Sequence, residues 1–194
     1  MHRISSDKDY YANGKVVIDA DGIPVDLGYR GTGSPEGKIV APVGSIYTDT
    51  AATNGAIRWI KTSGTGSTGW RVEYGDTGWR LVANRNENQT GEIYVRRVVD
   101  TCFIRVSKYM DPGNYAKHMA TIPSGFQPAG HFYGMIVDSG GGSIHSVIGS
   151  YSPGNLSWAR DFNGGFARPN TPQSGELTYS TTQSWPTTLP GTPA

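Results

Sequence analysis

Apolar and polar residues alternate with period two through almost every readable segment of the chain. In "WRVEY" (70–74), Trp70, Val72 and Tyr74 fall on one face and Arg71 and Glu73 on the other. That is the pattern of a half-buried strand and not of a helix. "KVVID" (15–19), "SIYTD" (45–49), "AIRWIK" (56–61) and "WRLV" (79–82) are further short strands of the first half. "EIYVRRV" (92–98) and "CFIRVSKY" (102–109), joined through Val99-Asp100-Thr101, open the second half, and "LSWARDF" (156–162) and "ELTYSTT" (176–182) close it. "GHFYGMIVD" (130–138) and "SIHSVIGS" (143–150) flank an "SGGG" turn as a hairpin. "YAKHMATI" (115–122) is read as a strand too, because about two turns of helix without a cap are marginal. Between these runs stand "DADG", "TGSPEG", "ATNG" and "GDTG", all turn chemistry.

The pattern predicts an all-β fold: a small N-terminal β module, then a C-terminal β-sandwich or jelly-roll-like domain. The boundaries are an N-terminal segment 1–30, the module 31–82, a linker in the Asn-rich "ANRNENQTG" (83–91), and the C-terminal domain 92–194. Some fifty residues of short strands and Gly-rich loops bury little apolar area against their ordering entropy. Domains that small use a metal, disulfides or self-association. Cys102 is the single cysteine and no ligand cluster is visible, so self-association is expected.

One motif competes with this reading. Gly64-Thr65-Gly66-Ser67-Thr68-Gly69 matches the G-x-G-x-x-G dinucleotide fingerprint literally. The fingerprint works when a strand enters it and a helix leaves it, since the helix N-terminus holds the pyrophosphate. Here "WRVEY" leaves it, so the stretch is read as a hairpin loop and no cofactor is assigned.

Charge changes the picture by exclusion. Lys and Arg number 17 against 16 Asp and Glu, a net charge of +1, so the footprint of a nucleic-acid binder is missing. Charged residues are 17% of the chain, and 27 glycines stand among many Ser, Thr and Asn. Such surfaces suit β-structures with tight turns and contact with sugars. No apolar run is long enough to span a bilayer, and the N-terminus lacks the apolar core of a signal peptide. Cys102, inside a strand-like run, is read as a buried inert thiol.

Candidate chemistry is sparse. "VDSGGGS" (137–143) resembles the phrase around a serine-protease nucleophile, with Ser139 at its centre and His118 and His131 elsewhere. It lacks the leading Gly, and a turn needing positive φ explains its glycines. His2, His118, His131 and His145 have no metal-ligand spacing. Glycoside hydrolysis needs two carboxylates roughly 5–10 Å apart, which Asp100, Asp111, Asp138, Asp161 and Glu176 do not establish from sequence. No catalytic, metal or cofactor residue is assigned.

Aromatic residues are more informative. Trp59, Trp70 and Trp79 lie on strands, where core or subunit packing is the default. Trp158, in "NLSWARDFNGG" beside Arg160 and Asp161, offers a ring face for sugar C–H groups with charged neighbours for hydroxyls. A core tryptophan on an alternating strand is the competing reading. Loop residues around Trp158, Arg160 and Asp161, with Asp138 and Ser139 of the hairpin turn, form the saccharide-binding candidate. Trp185, before Pro186, is expected to anchor the C-terminal tail.

The run "GTGSPEGKIVAPVGSIYTDTAATNGAIRWIKTSGTGSTGW", with its "GSPEG", "APVGSIYTDT" and "GTGxTGW" phrases, resembles a module of tail fibres and receptor-binding (minor tail) proteins of tailed phages of actinobacteria. The C-terminal half is similar, more loosely, to the head domains of such fibres through "TIPSGFQP" (121–128) and "WPTTLPGTPA" (185–194). The resemblance implies a homotrimer on the virion surface, with Trp59 and Trp70 at or near the subunit interface. Residues 1–30, by position, would attach it to other tail or capsid proteins, and the head would recognise a polysaccharide of the host envelope. Two alternatives stand beside it. One is a purely structural capsid or tail decoration protein. The other is a cell-wall glycan depolymerase, although known glycan-degrading fibres are usually long β-helices whose coil repeats this chain lacks.

Overall fold

The computed structural model describes residues 10–12, 15–18, 28–82, 90–110, 118–138, 144–150, 154–160 and 172–194. The all-β expectation holds: the described residues form strands, with a single 3-10 turn at Thr53–Gly55. Strands β1 (Tyr10–Ala12) and β2 (Lys15–Ile18) pair antiparallel, Ala12 opposite Lys15. β3 (Tyr29–Gly31), β4 (Ile46–Asp49), β5 (Ala56–Lys61) and β6 (Trp70–Gly75) form a four-stranded sheet in that order. β3 runs parallel to β4, with Tyr29 opposite Tyr47. The chain divides into two compact units, 1–53 with 57–73 and 54–56 with 74–194.

In the first unit the Trp70 ring meets Tyr29 and Tyr47 edge-on, both at 6.2 Å between centroids. Its indole N–H donates to the Ile39 carbonyl at 3.0 Å. Trp59 and Trp70 are each 5% exposed within the single chain. Core packing, one of the two defaults for these strand tryptophans, is thus met within the single chain. Large rings bury about 150–250 Å² each, which offsets the shortness of the strands around them.

The second unit holds β7 (Arg80–Leu81), β8 (Thr90–Val98), β9 (Thr101–Met110), β10 (His118–Thr121), β11 (Phe132–Asp138), β12 (Ile144–Ser150), β13 (Asn155–Arg160), β14 (Gln173–Ser180) and β15 (Thr192–Pro193). They join in one nine-stranded sheet, ordered β10-β13-β12-β11-β14-β9-β8-β7-β15. Val95, Ile104, Val106 and Leu177 of one half share a core with Met119, Ile136, Ile148 and Leu156 of the other. The sheet therefore curls over itself, and its two halves serve as the layers of a sandwich. The approach is close at Gly134, where an added Cβ would collide with the Leu177 side chain. Phe132 of β11 stacks on Tyr179 of β14 at 4.5 Å.

The unit boundary differs from the sequence-based one. Arg80 and Leu81 pair with Val95 and Tyr94 of β8, and Asp76 bridges to Val98. Residues 74–82 thus group with the second unit and not with the 31–82 module, and Thr90 and Gly91 of the proposed linker belong to β8. The stretch 83–89, whose residues lie outside the described set, connects two neighbouring antiparallel strands of one sheet. Its Asn-rich composition is shared by linkers and hairpin connections, and only strand pairing separates the two.

Antiparallel pairing sorts the connections. The ends of β7, β9, β11 and β13 and the starts of β8, β10, β12 and β14 lie at one end of the sheet. The opposite end carries the 99–100 turn, the segment 122–131 and the start of 181–191, which then runs back toward Leu81 of β7.

Candidate binding surfaces

The Gly-rich stretch 62–69 joins β5 to β6, adjacent strands of one sheet, so no helix follows the fingerprint match. Gly69 has φ +91°, where a Cβ would meet the Ser63 carbonyl. Lys61 and Glu36 tie this loop, and Asp49 ties the neighbouring turns. Lys61, wholly buried, donates through Nζ to the Gly66 carbonyl at 2.8 Å and to that of Thr68. The Glu36 carboxylate of "GSPEG" accepts the N–H groups of Gly69 at 3.1 Å and Trp70 at 2.8 Å. Asp49 of "SIYTDT" is 2% exposed and accepts the N–H groups of Gly33, Ala51 and Thr53 at 2.8–3.0 Å. Burial alone would raise the Asp49 pKa, but these bonds and one from the Thr53 side chain outweigh it and hold the carboxyl below its ordinary value. Burial, and then the Asp49 charge, push the Tyr47 phenol up. Glu36 and Asp49 thus fix loops of this unit.

The saccharide candidates sit differently from the sequence reading. Ser139 and Asp161 lie outside the described residues. Trp158 and Arg160 fall within β13, the strand read in "LSWARDF", opposite Ile148 and Val147, and not in the loop assigned to the saccharide candidate. Asp138 ends β11 opposite Gln173. Ile148 pairs with Gly134, four residues before Asp138, so Trp158 sits about 13 Å back along the strands from the level of Asp138. Asp138 and Arg160 share one end of the sheet; Trp158 is at mid-strand level.

An aromatic and charged cluster that the sequence reading passed over lies on β7–β8–β9–β14. Alternation in β9 buries Cys102, Ile104 and Val106 and turns Phe103 and Arg105 to the other face. Across the strands run two rows, Arg96–Phe103–Thr178 and Tyr94–Arg105–Glu176. The Arg105 guanidinium lies 4.0 Å from the centre of the half-buried Trp79 ring, which meets Phe103 edge-on at 6.3 Å. Arg105 also pairs with Glu176 at 3.1 Å, and both side chains are nearly half exposed. Arg96 pairs with Asp76, and this bond is the main reason the Asp76 carboxyl lies below its ordinary pKa. The signal was present as period-two alternation in "EIYVRRV" and "CFIRVSKY". What the sequence lacked was the register that stacks Trp79 on Arg105.

At the opposite end, Arg97 is 3% exposed. Its guanidinium donates to the carbonyls of Val99 at 2.7 Å, Gly125 at 2.6 Å, and Gln183 and Ser184 at 2.9 Å. Its charge sits 5.0 Å from the Trp185 ring, and the Trp185 N–H donates to the Asn54 carbonyl. Gln183 accepts the Gly125 N–H at 2.6 Å and donates to Gln127. The phrases "TIPSGFQP" and "WPTTLPGTPA" meet here, and Trp185 anchors the tail as expected. Cys102 is buried nearby, and desolvation pushes its thiol up to about 12. Tyr179, raised chiefly by burial, donates its hydroxyl to the Phe126 carbonyl at 2.6 Å.

Among the described residues, no three His, Cys, Asp or Glu side chains gather as a metal site, and no helix is long and apolar enough to cross a membrane. The chain matches no family model, no curated protein and no solved structure.

Proposed function

We propose that the chain is a phage virion protein, a short tail fibre or receptor-binding protein that recognises a host cell-surface saccharide without catalysis. The observation that carries this reading is the run from Gly31 to Trp70. Its resemblance to the tail-protein module extends through "GSPEG", "SIYTDT" and "GTGxTGW", and each phrase contributes a residue that ties a loop: Glu36, Asp49 and the backbone of Gly69. A likeness concentrated on residues with a shared structural task is harder to obtain by chance than one of composition. The nearly neutral surface supports recognition by hydrogen bonds and stacking over recognition by long-range charge.

In this reading the chain assembles as a homotrimer, residues 1–30 attach it to tail or capsid proteins, and three copies of a weak sugar site act together on an envelope polysaccharide. Light scattering on the purified chain should give three times 20.8 kDa, and a stable folded monomer refutes the trimer. Fluorescently labelled protein should stain susceptible cells. Presence in purified virions without staining favours the decoration protein, and release of reducing sugar from envelopes favours the depolymerase. Tyr29 and Arg30 belong to β3, so the test deletes residues 1–27: this should leave folding intact and remove the chain from particles, and particles that keep the truncated chain place attachment elsewhere.

A further inference from the structure

The geometry points to the outward face of β8, β9 and β14, centred on Arg105, Glu176 and Phe103, as a site for a neutral saccharide. This inference rests on the saccharide reading above and moves its contact surface away from β13. Three features of the face select the ligand. Its charges are matched in place: Arg105 pairs with Glu176 and Arg96 with Asp76, which leaves little net field to attract an anionic or cationic partner. The pairing is also incomplete in hydrogen bonds. Arg105 spends Nε and one terminal nitrogen on a single oxygen of Glu176, which leaves its other terminal nitrogen, on the far side of the guanidinium, as a donor and the second carboxylate oxygen as an acceptor. A donor and an acceptor spaced across one face are what hydroxyls around a sugar ring engage, since each hydroxyl both donates and accepts.

The third feature is rigidity. Arg105 lies against the Trp79 ring at 4.0 Å, so its planar fork is held before any ligand arrives, and less side-chain entropy is lost on binding. Phe103, in the adjacent row between Arg96 and the exposed Thr178, supplies aromatic carbon for the C–H face of a pyranose, with a hydroxyl at its edge. The face thus alternates carbon surface with paired donors and acceptors, as a sugar ring does. A nucleic acid or an acidic polymer would need unpaired cations, which the pairing of Arg96 and Arg105 removes.

Saturation-transfer NMR on the full-length protein tests the site, with glucose, galactose and rhamnose as neutral probes and glucuronic acid as the charged comparator. At least one neutral sugar should receive saturation at millimolar concentration. Arg105→Ala and Glu176→Ala should each weaken that signal about ten-fold or more, with melting curves close to that of the unchanged protein because both side chains are nearly half exposed and a surface ion pair adds little stability. Arg105→Lys should restore less than half, since an ammonium lacks the fork. A neutral-sugar signal that survives both alanine variants and disappears in Trp158→Phe overturns this site and leaves the saccharide reading standing. A preference for glucuronic acid overturns the neutral-ligand inference. No signal from any probe, together with failure to stain susceptible cells, overturns the site and the saccharide reading together.

Discussion

Replacing Arg97 by Met removes one buried guanidinium and four hydrogen bonds to main-chain carbonyls, while keeping much of the side-chain volume. The acceptors come from three separate segments: Val99 in the β8–β9 turn, Gly125 in the 122–131 connection, and Gln183 and Ser184 in the C-terminal segment. Hydrogen bonds to a charged group are worth about 1.5–3 kcal/mol each, but bonds sharing one donor are not additive. Some carbonyls regain water when the segment lifts. Removing one side of a buried charged network costs about 3–5 kcal/mol, and that range is the expectation here. It is a large fraction of the roughly 5–15 kcal/mol that holds a domain together. The melting temperature of the second unit should fall by about 10–15 °C. Chemical denaturation followed by circular dichroism gives the free energy, and limited proteolysis should show earlier cleavage within 181–191. Arg97→Lys should recover less than half the loss, because a point charge cannot reach carbonyls on three segments. A double-mutant cycle with Trp185→Leu should return a coupling of about 1–2 kcal/mol from the ring–cation contact at 5.0 Å. A loss below about 0.5 kcal/mol for Arg97→Met would refute the view that this residue clasps the closed end of the sheet.

Asp49 predicts the acid response of the first unit. Its folded pKa is depressed, so the stability it contributes is present above the ordinary carboxylate value of about 4 and is lost as pH falls through the lower folded value. Asp49→Asn should flatten that acid limb in pH-dependent unfolding, and an unchanged limb counts against the role given to its three N–H donors. Cys102, pushed up to about 12, holds a thiolate fraction of only about 10⁻⁴ at pH 8. Iodoacetamide should therefore label the native chain far more slowly than the denatured one; equal rates would show that the thiol is neither buried nor desolvated. Gly134→Ala should cost about 1–3 kcal/mol by overpacking against Leu177, measured by thermal melt, and a neutral result would mean that the two halves of the sheet stand further apart.

Local pattern determined the strands. "AIRWIK" and "WRVEY" both read correctly as strands, although burial alternates only over Trp70–Glu73 and Tyr74 is exposed, and "SGTGSTGW" between them read correctly as a hairpin connection because a strand, not a helix, leaves it. The "SGGG" hairpin followed in the same way, with β11 and β12 paired along their length. Periodicity carries this information because the side-chain direction of a strand residue depends only on its immediate neighbours in the chain. β3 and β15 escaped because two or three residues cannot display a period. Tertiary structure alone decided what the strands do together. It assigned 74–82 to the second unit, because Arg80 and Leu81 find their partners on β8. It buried Trp59 and Trp70 inside the single chain, and it set Trp158, on a strand the pattern predicts, opposite Ile148. It also brought Arg105 onto Trp79 and Arg97 onto carbonyls as far away as Ser184. Each of these depends on register between distant strands, a property of pairs of segments that no single segment encodes.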